Sequence, residues 1–235
     1  MNDHLFDGKV EYYEKSRPLV SQEAVKYLYS IIPSNAVFAD IGAGTGKFTS
    51  LIADQGNLIF AVEPNIEMLS ILTKKLQRYH NVKAIAAKAE DTMILDHSVD
   101  VVVTVTALHW FDLNAFRSEC LRILKPGGIV VAIYNSQKNE LRKKSDSYYC
   151  NTATDIFFEG RCEILEFPNP MLYTRDKFIA YHLSHSTAPN FGEEGYESYL
   201  SKIKTIFDDN NMDGKYFFDF VSVLYIDKEF TNNYS

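Results

Sequence analysis

The chain has 235 residues, a formal net charge of -7, and 15 Tyr and 16 Phe. This length can bury one large α/β core, and the aromatic content argues against a disordered or low-complexity chain. The acidic balance argues against a nucleic-acid groove, because phosphate binding needs clustered Lys and Arg. No apolar run is long enough to span a bilayer, and the first residues lack the pattern of a signal peptide. With 3 scattered cysteines, we expect a reduced, cytoplasmic protein without a membrane partner.

The N-terminal segment, residues 1–32, contains the first helix that the pattern predicts. Ser21 is a suitable N-cap for this helix, and Pro33 ends it. Tyr13 and Arg17 precede it. The segment either packs on a sheet edge or folds over a bound ligand, and the second alternative places Tyr13 and Arg17 at that ligand.

The most informative stretch runs from Val37 to Phe48. An apolar run ends in Asp40, and Gly42, Gly44 and Gly46 follow at alternate positions. The pattern predicts a strand, a tight turn and a helix, which together begin a nucleotide-binding βα unit. Glycine is needed there because the turn requires unusual dihedral angles and close contact between ligand and backbone.

Spacing separates three glycine loops that this stretch resembles. A dinucleotide-binding loop needs its third glycine where Lys47 stands. A Walker A loop needs a glycine at the position of Ile41 and a hydroxyl side chain at the position of Phe48. The pattern that remains is D-x-G-x-G-x-G, from Asp40 to Gly46.

A fully apolar second strand, Leu58 to Val62, ends in Glu63. In open α/β folds, an acid at the end of the second strand accepts hydrogen bonds from the ribose hydroxyls of a nucleotide. Pro64 follows directly, and Met68 lies in the first turn of the next helix. Met68 either packs on an adenine ring or belongs to the core.

A third strand, near Val82 to Ala87, precedes Ala89 and Glu90. The loop after this strand lies beside the base in a nucleotide-binding sheet. A backbone N–H of Ala89 or Glu90 is a candidate donor to adenine N1, and the Glu90 carboxylate is a candidate acceptor from N6. A solvated acidic surface is the alternative.

The fourth strand runs from Val101 to Thr106 and is followed by His109 and Trp110. Ligands of doubly wound sheets bind outside the carboxyl ends of the strands. We therefore assign Thr106 to the cofactor side. His109, Trp110 and Tyr134, which ends the fifth strand, are assigned to the substrate side. His109 is a general base, a positioning residue or a structural one.

The last hundred residues show weaker patterns. Residues 136–165 are expected to form a cap insertion or a solvated excursion with its own small core. His182 and His185 have helical spacing, but no further ligands accompany them, so no metal site is predicted. The remaining expectations are a turn at Lys125–Gly128, an extended segment Phe167–Tyr173, helices over 174–185 and 194–208, and a last strand Phe217–Ile226.

Five motifs resemble those of class I methyltransferases that use S-adenosylmethionine. They are Asp40–Gly46, Ala61–Asn65, Ala89–Asp91, Ala107–Asp112 and Leu124–Gly128. The run His109–Asp112 and the segment Tyr13–Pro18 are most similar to the trans-aconitate methyltransferase neighbourhood. The resemblance covers about residues 5–135 and is loose beyond them.

This resemblance implies one Rossmann-like domain over residues 1–235, with a doubly wound, seven-stranded, mostly parallel sheet and helices on both faces. It implies S-adenosylmethionine as cofactor. Asp40 is then expected to bind the ammonium group of the methionine part, and the loop backbone at Gly42, Ala43, Gly44 and Gly46 is expected to lie close to that part. Tyr13 and Arg17 are expected to lie near its carboxylate. The partner is a small-molecule methyl acceptor such as a carboxylate or hydroxyl. A non-catalytic cofactor-binding protein and an NAD(P)-dependent reductase remain alternatives, and the sequence does not indicate an oligomeric state.

Overall fold

The computed structural model describes residues 8–138 and 152–233. The strands, numbered in chain order, are β1 Phe38–Ile41, β2 Ile59–Val62, β3 Val82–Ile85, β4 Val99–Val105, β5 Leu124–Gln137, β6 Glu163–Pro168, β7 Met171–Thr174, β8 Lys215–Phe218 and β9 Phe220–Asp227. The helices are α1 Val10–Ser16, α2 Gln22–Ser30, α3 Lys47–Ala53, α4 Ile66–Leu76, α5 Leu113–Ile123, α6 Thr152–Phe158, α7 Arg175–Leu183, α8 Tyr196–Asn210 and α9 Phe230–Asn233, with a short 3-10 helix at Leu108–Trp110.

The main sheet has seven strands in the order β3-β2-β1-β4-β5-β9-β6. Strands β3, β2, β1, β4 and β5 are parallel, and β9 is antiparallel to both β5 and β6. The chain moves outward from β1 to β3 and then returns to place β4 on the other side of β1. The predicted α/β fold with a mostly parallel sheet is confirmed, and the crevice between β1 and β4 is its topological switch point.

Both faces of the sheet are covered, as the side chains of β4 show. Val101 and Val103 are fully buried in one cluster with Phe48, whereas Val102 belongs to another with Phe116. Successive side chains of a strand point to opposite faces. Because both faces are buried, β4 is apolar at consecutive positions, which explains the run Val101–Val103 in the sequence.

The described parts of the range 136–165, for which the sequence predicts a cap, belong to the main sheet and to a helix packed on it. Residues 136–137 end β5, and 163–165 begin β6. Between them, α6 packs on the sheet face, with Phe157 and Phe158 fully buried. Residues 139–151 of the predicted cap lie outside the described residues.

Three other boundaries differ from the expectations. The predicted turn at Lys125–Gly128 is an irregularity inside β5, where the register with β4 shifts between Val99 and Val101. The extended segment 167–173 divides between β6 and β7, and the last strand divides into β8 and β9. In both cases one part joins the main sheet and the other joins a two-stranded sheet of β7 and β8.

The two-stranded sheet packs with α7 and α8 around an aromatic cluster. Its fully buried members include Tyr173, Phe178 and Phe218. Helix α1, which the sequence pattern does not predict, lies against α7. Ser21 occupies the N-cap position of α2, but its hydroxyl donates to the Pro168 carbonyl at 3.0 Å instead of capping the helix. No helix among the described residues is long and apolar enough to cross a membrane.

Candidate functional site

The glycine loop follows β1 at the switch point of the sheet. Gly42 and Ala43 both donate their backbone N–H to the Val62 carbonyl, at 2.9 and 3.0 Å. Gly42, Gly44 and Gly46 have φ angles of 70°, 56° and 74°, a region that residues with a Cβ rarely adopt. Each of the three alternating glycines in the sequence therefore has a left-handed backbone conformation in the loop.

Asp40 lies at the start of this loop and is fully buried. Its Oδ2 accepts a hydrogen bond from the Thr49 hydroxyl at 2.6 Å. Its Oδ1 is buried and has no hydrogen-bond partner among the described residues. The pKa of Asp40 is raised to about 7, chiefly by burial and in smaller part by the negative charge of Glu63, while the hydrogen bond from Thr49 opposes the rise. A buried acceptor without a donor indicates a place for a cationic ligand group.

Replacing Asp40 with asparagine is expected to stabilise the ligand-free protein above pH 7. The folded-state pKa of about 7 exceeds the ordinary 3.8, so stability is lost as the pH rises between these values. Asparagine lacks this penalty, and we expect its free energy of unfolding at pH 8 to exceed the wild-type value by about 1–3 kcal/mol.

Urea unfolding at pH 8 and pH 4 measures this difference. Asp54→Asn, which changes an exposed acid at the end of α3, is the matched control and should gain nothing. An equal gain at both pH values for Asp40→Asn would show that ionisation is not the cause.

Glu63 is buried directly after β2, and its carboxylate accepts hydrogen bonds from two backbone segments. Its Oε2 accepts from the Gly44 N–H at 2.8 Å, and its Oε1 accepts from the Asn65 N–H at 2.9 Å. Each carboxylate oxygen has a second lone pair. Pro64 is half-buried beside it, and Met68 is buried with its sulfur 3.8 Å from the position of a Cβ on Gly44. This part of the site therefore forms one wall against the glycine loop.

The loop after β3 has a different set of contacts from those predicted. Ala89 is buried and packs in the main core. Glu90 Oε1 accepts a hydrogen bond from the Asp112 N–H at 2.8 Å, so this carboxylate fixes the start of α5. Its predicted contact with an adenine amino group stays a prediction.

A cavity of about 50 Å³ lies between the glycine loop and α1. Six of the predicted residues line it, namely Tyr13, Arg17, Asp40, Gly42, Ala43 and Thr106. Thr106 has a φ of 56°, which is strained for a β-branched residue. This strained residue at the end of β4 marks the same switch-point crevice as the glycine loop.

A hydrogen bond and an ion pair join helix α1 to α3 and α4, the two helices beside the glycine loop. Lys47 Nζ donates to the Glu14 carbonyl at 2.5 Å, and Lys75 of α4 pairs with the Glu14 carboxylate at 2.6 Å. Tyr13 approaches Gly44 so closely that its hydroxyl would lie 3.8 Å from an added Cβ. The first described helix thus covers the glycine loop.

The predicted substrate residues form a group beside this cavity and do not line it. His109 Nδ1 and the Tyr134 hydroxyl are 3.4 Å apart, and the His109 and Trp110 rings are 4.7 Å apart between centroids. Although His109 is exposed, desolvation by nearby groups lowers its pKa, and the positive charge of Arg17 lowers it further. His109 is therefore largely neutral at pH 7.

Sequence reasoning did not find Asn135 and Tyr181, which also line the cavity. The sequence expectation that Tyr134 ends the fifth strand is wrong, because β5 continues to Gln137 in its pairing with β9. Tyr134 and Asn135 instead lie just beyond the last residue that pairs with β4, Ile133, so the strand-end rule applied to that pairing would have included Asn135. Tyr181 lies on α7, where no sequence motif marks it. His182 and His185 lie near Tyr181, and burial, together with the smaller effect of the Arg17 charge, lowers the pKa of both to about 4. No group of three metal-ligating side chains occurs in the described ranges.

Comparison with known proteins agrees with this geometry. Residues 39–132 match the family described as "Methyltransferase domain". An uncharacterized methyltransferase of Mycobacterium tuberculosis is 34% identical over 136 residues, covering 58% of this chain and 54% of that protein. The chain spans about half the length of the curated relatives that it matches first.

Two solved structures share the fold. A proposed type II methyltransferase from Anaeromyxobacter dehalogenans has a TM-score of 0.62 at 20% identity, with 90% of this chain and 95% of that chain covered. A phosphoethanolamine N-methyltransferase of Haemonchus contortus has a TM-score of 0.54 at 16% identity, with 92% and 56% covered. The latter structure contains S-adenosylhomocysteine and phosphomonomethylethanolamine.

Proposed function

We propose that this chain is a methyltransferase that uses S-adenosylmethionine and methylates a small-molecule acceptor. The observation that carries the proposal is the buried Oδ1 of Asp40, which has no donor among the described residues and lies beside the glycine loop. The ammonium group of the cofactor's methionine part supplies such a donor. The match of residues 39–132 to a methyltransferase domain supports the same reading.

The residues around Asp40 fit this cofactor. Gly44 offers bare backbone to the methionine part, beside Tyr13 and Met68, and Gly42 lets the loop pack closely on Ala107 and Phe111. The Glu63 carboxylate, which follows the second strand, is proposed to accept hydrogen bonds from the ribose hydroxyls, as an acid at that place does in open α/β folds. The residues proposed to surround the adenine are Pro64, Met68, Ala89 and Glu90. Thr106, which follows β4, is proposed to contact the cofactor from the other side of the crevice.

When bound, S-adenosylmethionine supplies a methyl group that is already activated on a sulfonium. The chain's own contribution is to hold the two reactants in line and to exclude water. Tyr13 on α1 covers the glycine loop, and α1 must move for a ligand of nucleoside size to enter. His109, Trp110 and Tyr134 are proposed to orient the acceptor beside the cofactor.

Isothermal titration calorimetry with S-adenosylhomocysteine tests the proposal. We expect saturable binding to the wild-type protein, and no binding of NADH, because Lys47 stands where a dinucleotide loop has its third glycine. Methyl transfer from labelled S-adenosylmethionine to a cell extract then separates an enzyme from a non-catalytic binding protein. Binding of NADH without S-adenosylhomocysteine would overturn the proposal.

We expect His109→Gln to raise the acceptor KM about tenfold and to leave kcat within a few fold of wild type. The reason is that His109 is exposed beside Tyr134 and Trp110, in a place to hold an acceptor. Kinetics with an acceptor from the labelled-methyl screen measure this, with His80→Gln, an exposed histidine outside the site, as the control. A loss of turnover of about a hundredfold, together with loss of the acidic limb of the pH profile, would instead identify a general base.

Two narrower expectations also stay proposals. One is that the chain belongs to the trans-aconitate methyltransferase branch, which the segments near Tyr13 and His109 resemble. Identifying the methyl acceptor tests this assignment. The cytoplasmic location is tested by fractionating cells that express the full-length protein.

A further inference from the structure

Asn135 lies at the wall of the cavity, in the part of β5 that pairs with β9 and no longer with β4. Its side-chain amide takes part in three hydrogen bonds. The oxygen Oδ1 accepts from the Ser222 hydroxyl at 2.6 Å and from Asn169 Nδ2 at 3.3 Å. The nitrogen Nδ2 donates to the Pro18 carbonyl at 3.2 Å. The amide of this half-buried residue is therefore held by three separate segments of the chain.

The partners of the Asn135 amide fix which of its ends is the oxygen. Ser222, which is fully buried opposite Asn135 on β9, accepts the Ser21 N–H at 2.9 Å. The Ser222 hydroxyl proton is then donated to Asn135 Oδ1. A carbonyl such as that of Pro18 only accepts, so the amide atom that faces it is the nitrogen. Hydrogen bonding thus determines the orientation of the amide.

One hydrogen-bonding group of the Asn135 side chain is left over. A side-chain amide has two N–H donors and two acceptor lone pairs. Ser222 and Asn169 occupy both lone pairs, and Pro18 accepts one N–H. The second N–H has no acceptor among residues 8–138 and 152–233. A donor held in place by its neighbours at a cavity wall is suited to bind one hydrogen-bond acceptor of a ligand.

The strand order separates Asn135 from the proposed cofactor residues. Asp40 belongs to β1 and Glu63 follows β2, whereas β5 lies on the other side of β4. Asn135 directly follows Tyr134, whose hydroxyl is 3.4 Å from His109 Nδ1. Successive side chains of a strand point to opposite faces. Asn135 therefore adds, from the face nearer α1, a contact that the group around His109 does not supply.

We propose that Asn135 binds the methyl acceptor, and that its remaining amide N–H donates to an oxygen or nitrogen lone pair of that molecule. This inference rests on the proposed function and adds a specificity-determining residue to the same site. Ser222 and Asn169 are positioning residues, because they act through the amide of Asn135. A carbonyl, ether or aromatic nitrogen of the ligand fits this donor, whereas an ammonium group would meet it with another donor.

Methyl transfer to the small-molecule filtrate of a cell extract tests the role of Asn135. Labelled S-adenosylmethionine is the methyl donor, and the amount of filtrate that half-saturates formation of the wild-type product is measured. Asn135→Ala should raise this amount about three- to tenfold, through loss of one hydrogen bond. Asn135→Asp should raise it at least about tenfold, because a carboxylate oxygen would face the lone pair of the ligand. The maximal rate should stay within about threefold and S-adenosylhomocysteine affinity within about twofold of wild type.

Two further variants separate a positioning effect from a general one. Ser222→Ala removes the hydroxyl that holds Asn135 Oδ1 and should raise the half-saturating amount about two- to fivefold, with S-adenosylhomocysteine affinity unchanged. Asn210→Asp changes an exposed asparagine at the end of α8 in the same way as Asn135→Asp. It is the control and should leave every constant unchanged. Thermal unfolding of each variant verifies that it is folded.

Three results would overturn the inference. The first is that the folded Asn135 variants need the same amount of filtrate as wild type, which would make the hydrogen-bond network purely structural. The second is that Asn135→Asp saturates with less filtrate, because the ligand would then present a donor. The third is that Asn135→Ala weakens S-adenosylhomocysteine at least about tenfold and leaves the half-saturating amount unchanged, which would assign Asn135 to the cofactor.

In all three of these results the wild-type protein binds S-adenosylhomocysteine and transfers the label. Failure of the proposed function is distinct, because the wild-type protein itself would then fail to bind S-adenosylhomocysteine or to transfer any methyl group. That outcome would overturn the role of Asn135 as well.

Discussion

Gly42→Ala is expected to destabilise the protein by about 2–6 kcal/mol and to abolish cofactor binding. The φ angle of 70° is strained for alanine, which costs about 1–3 kcal/mol. The new Cβ would lie 2.7 Å from the Ala107 Cβ and 3.1 Å from the Phe111 ring. Such overlap costs about 1–3 kcal/mol more in a packed region. Urea unfolding and calorimetry with S-adenosylhomocysteine measure the two effects.

Gly127→Ala separates strain from overlap, because Gly127 has a φ of 77° but no atom within 4 Å of an added Cβ. We expect this control to lose only the strain contribution, about 1 kcal/mol, and to bind S-adenosylhomocysteine as wild type does. If the two alanine variants lose the same stability, the contact of the glycine loop with Ala107 is not tight in solution.

Glu63→Ala is expected to weaken S-adenosylhomocysteine binding by about ten- to a hundredfold, or about 1.5–3 kcal/mol. The variant removes a carboxylate proposed to accept from the ribose hydroxyls. It also removes the acceptor of the Gly44 and Asn65 N–H groups, at 2.8 and 2.9 Å, so that the glycine loop loses one of its supports. Calorimetry measures the change.

Glu67→Ala is the matched control for Glu63→Ala, since it removes an exposed carboxylate in the first turn of α4. It should bind S-adenosylhomocysteine as wild type does. Unchanged affinity in Glu63→Ala would contradict the ribose assignment, even if the variant unfolds more easily.

The sequence by itself determined the strands and the loop that surround the proposed cofactor site. Strands β1, β2, β4 and β5 are buried on both faces, so their apolar runs are visible without any knowledge of their neighbours. The glycine positions follow from local backbone geometry, because each of Gly42, Gly44 and Gly46 adopts a positive φ. Asp40 and Glu63 follow from the rule that places ligands at strand ends.

Only the tertiary structure decided which elements cover this site. Within the predicted cap range, the described residues form α6, whose Phe157 and Phe158 pack on the apolar face of the sheet. Among the described elements, α1 and α7 pack over the cavity, and they meet through Arg17 and Ser184, which are 167 residues apart in sequence. No local pattern encodes such a pair, since neither hydrophobic period nor turn chemistry depends on it. The residues of the proposed cofactor site in the glycine loop and after β2 belong to short local motifs and are therefore predictable, whereas the cover that α1 and α7 form over the cavity joins distant segments and becomes visible only in the folded chain.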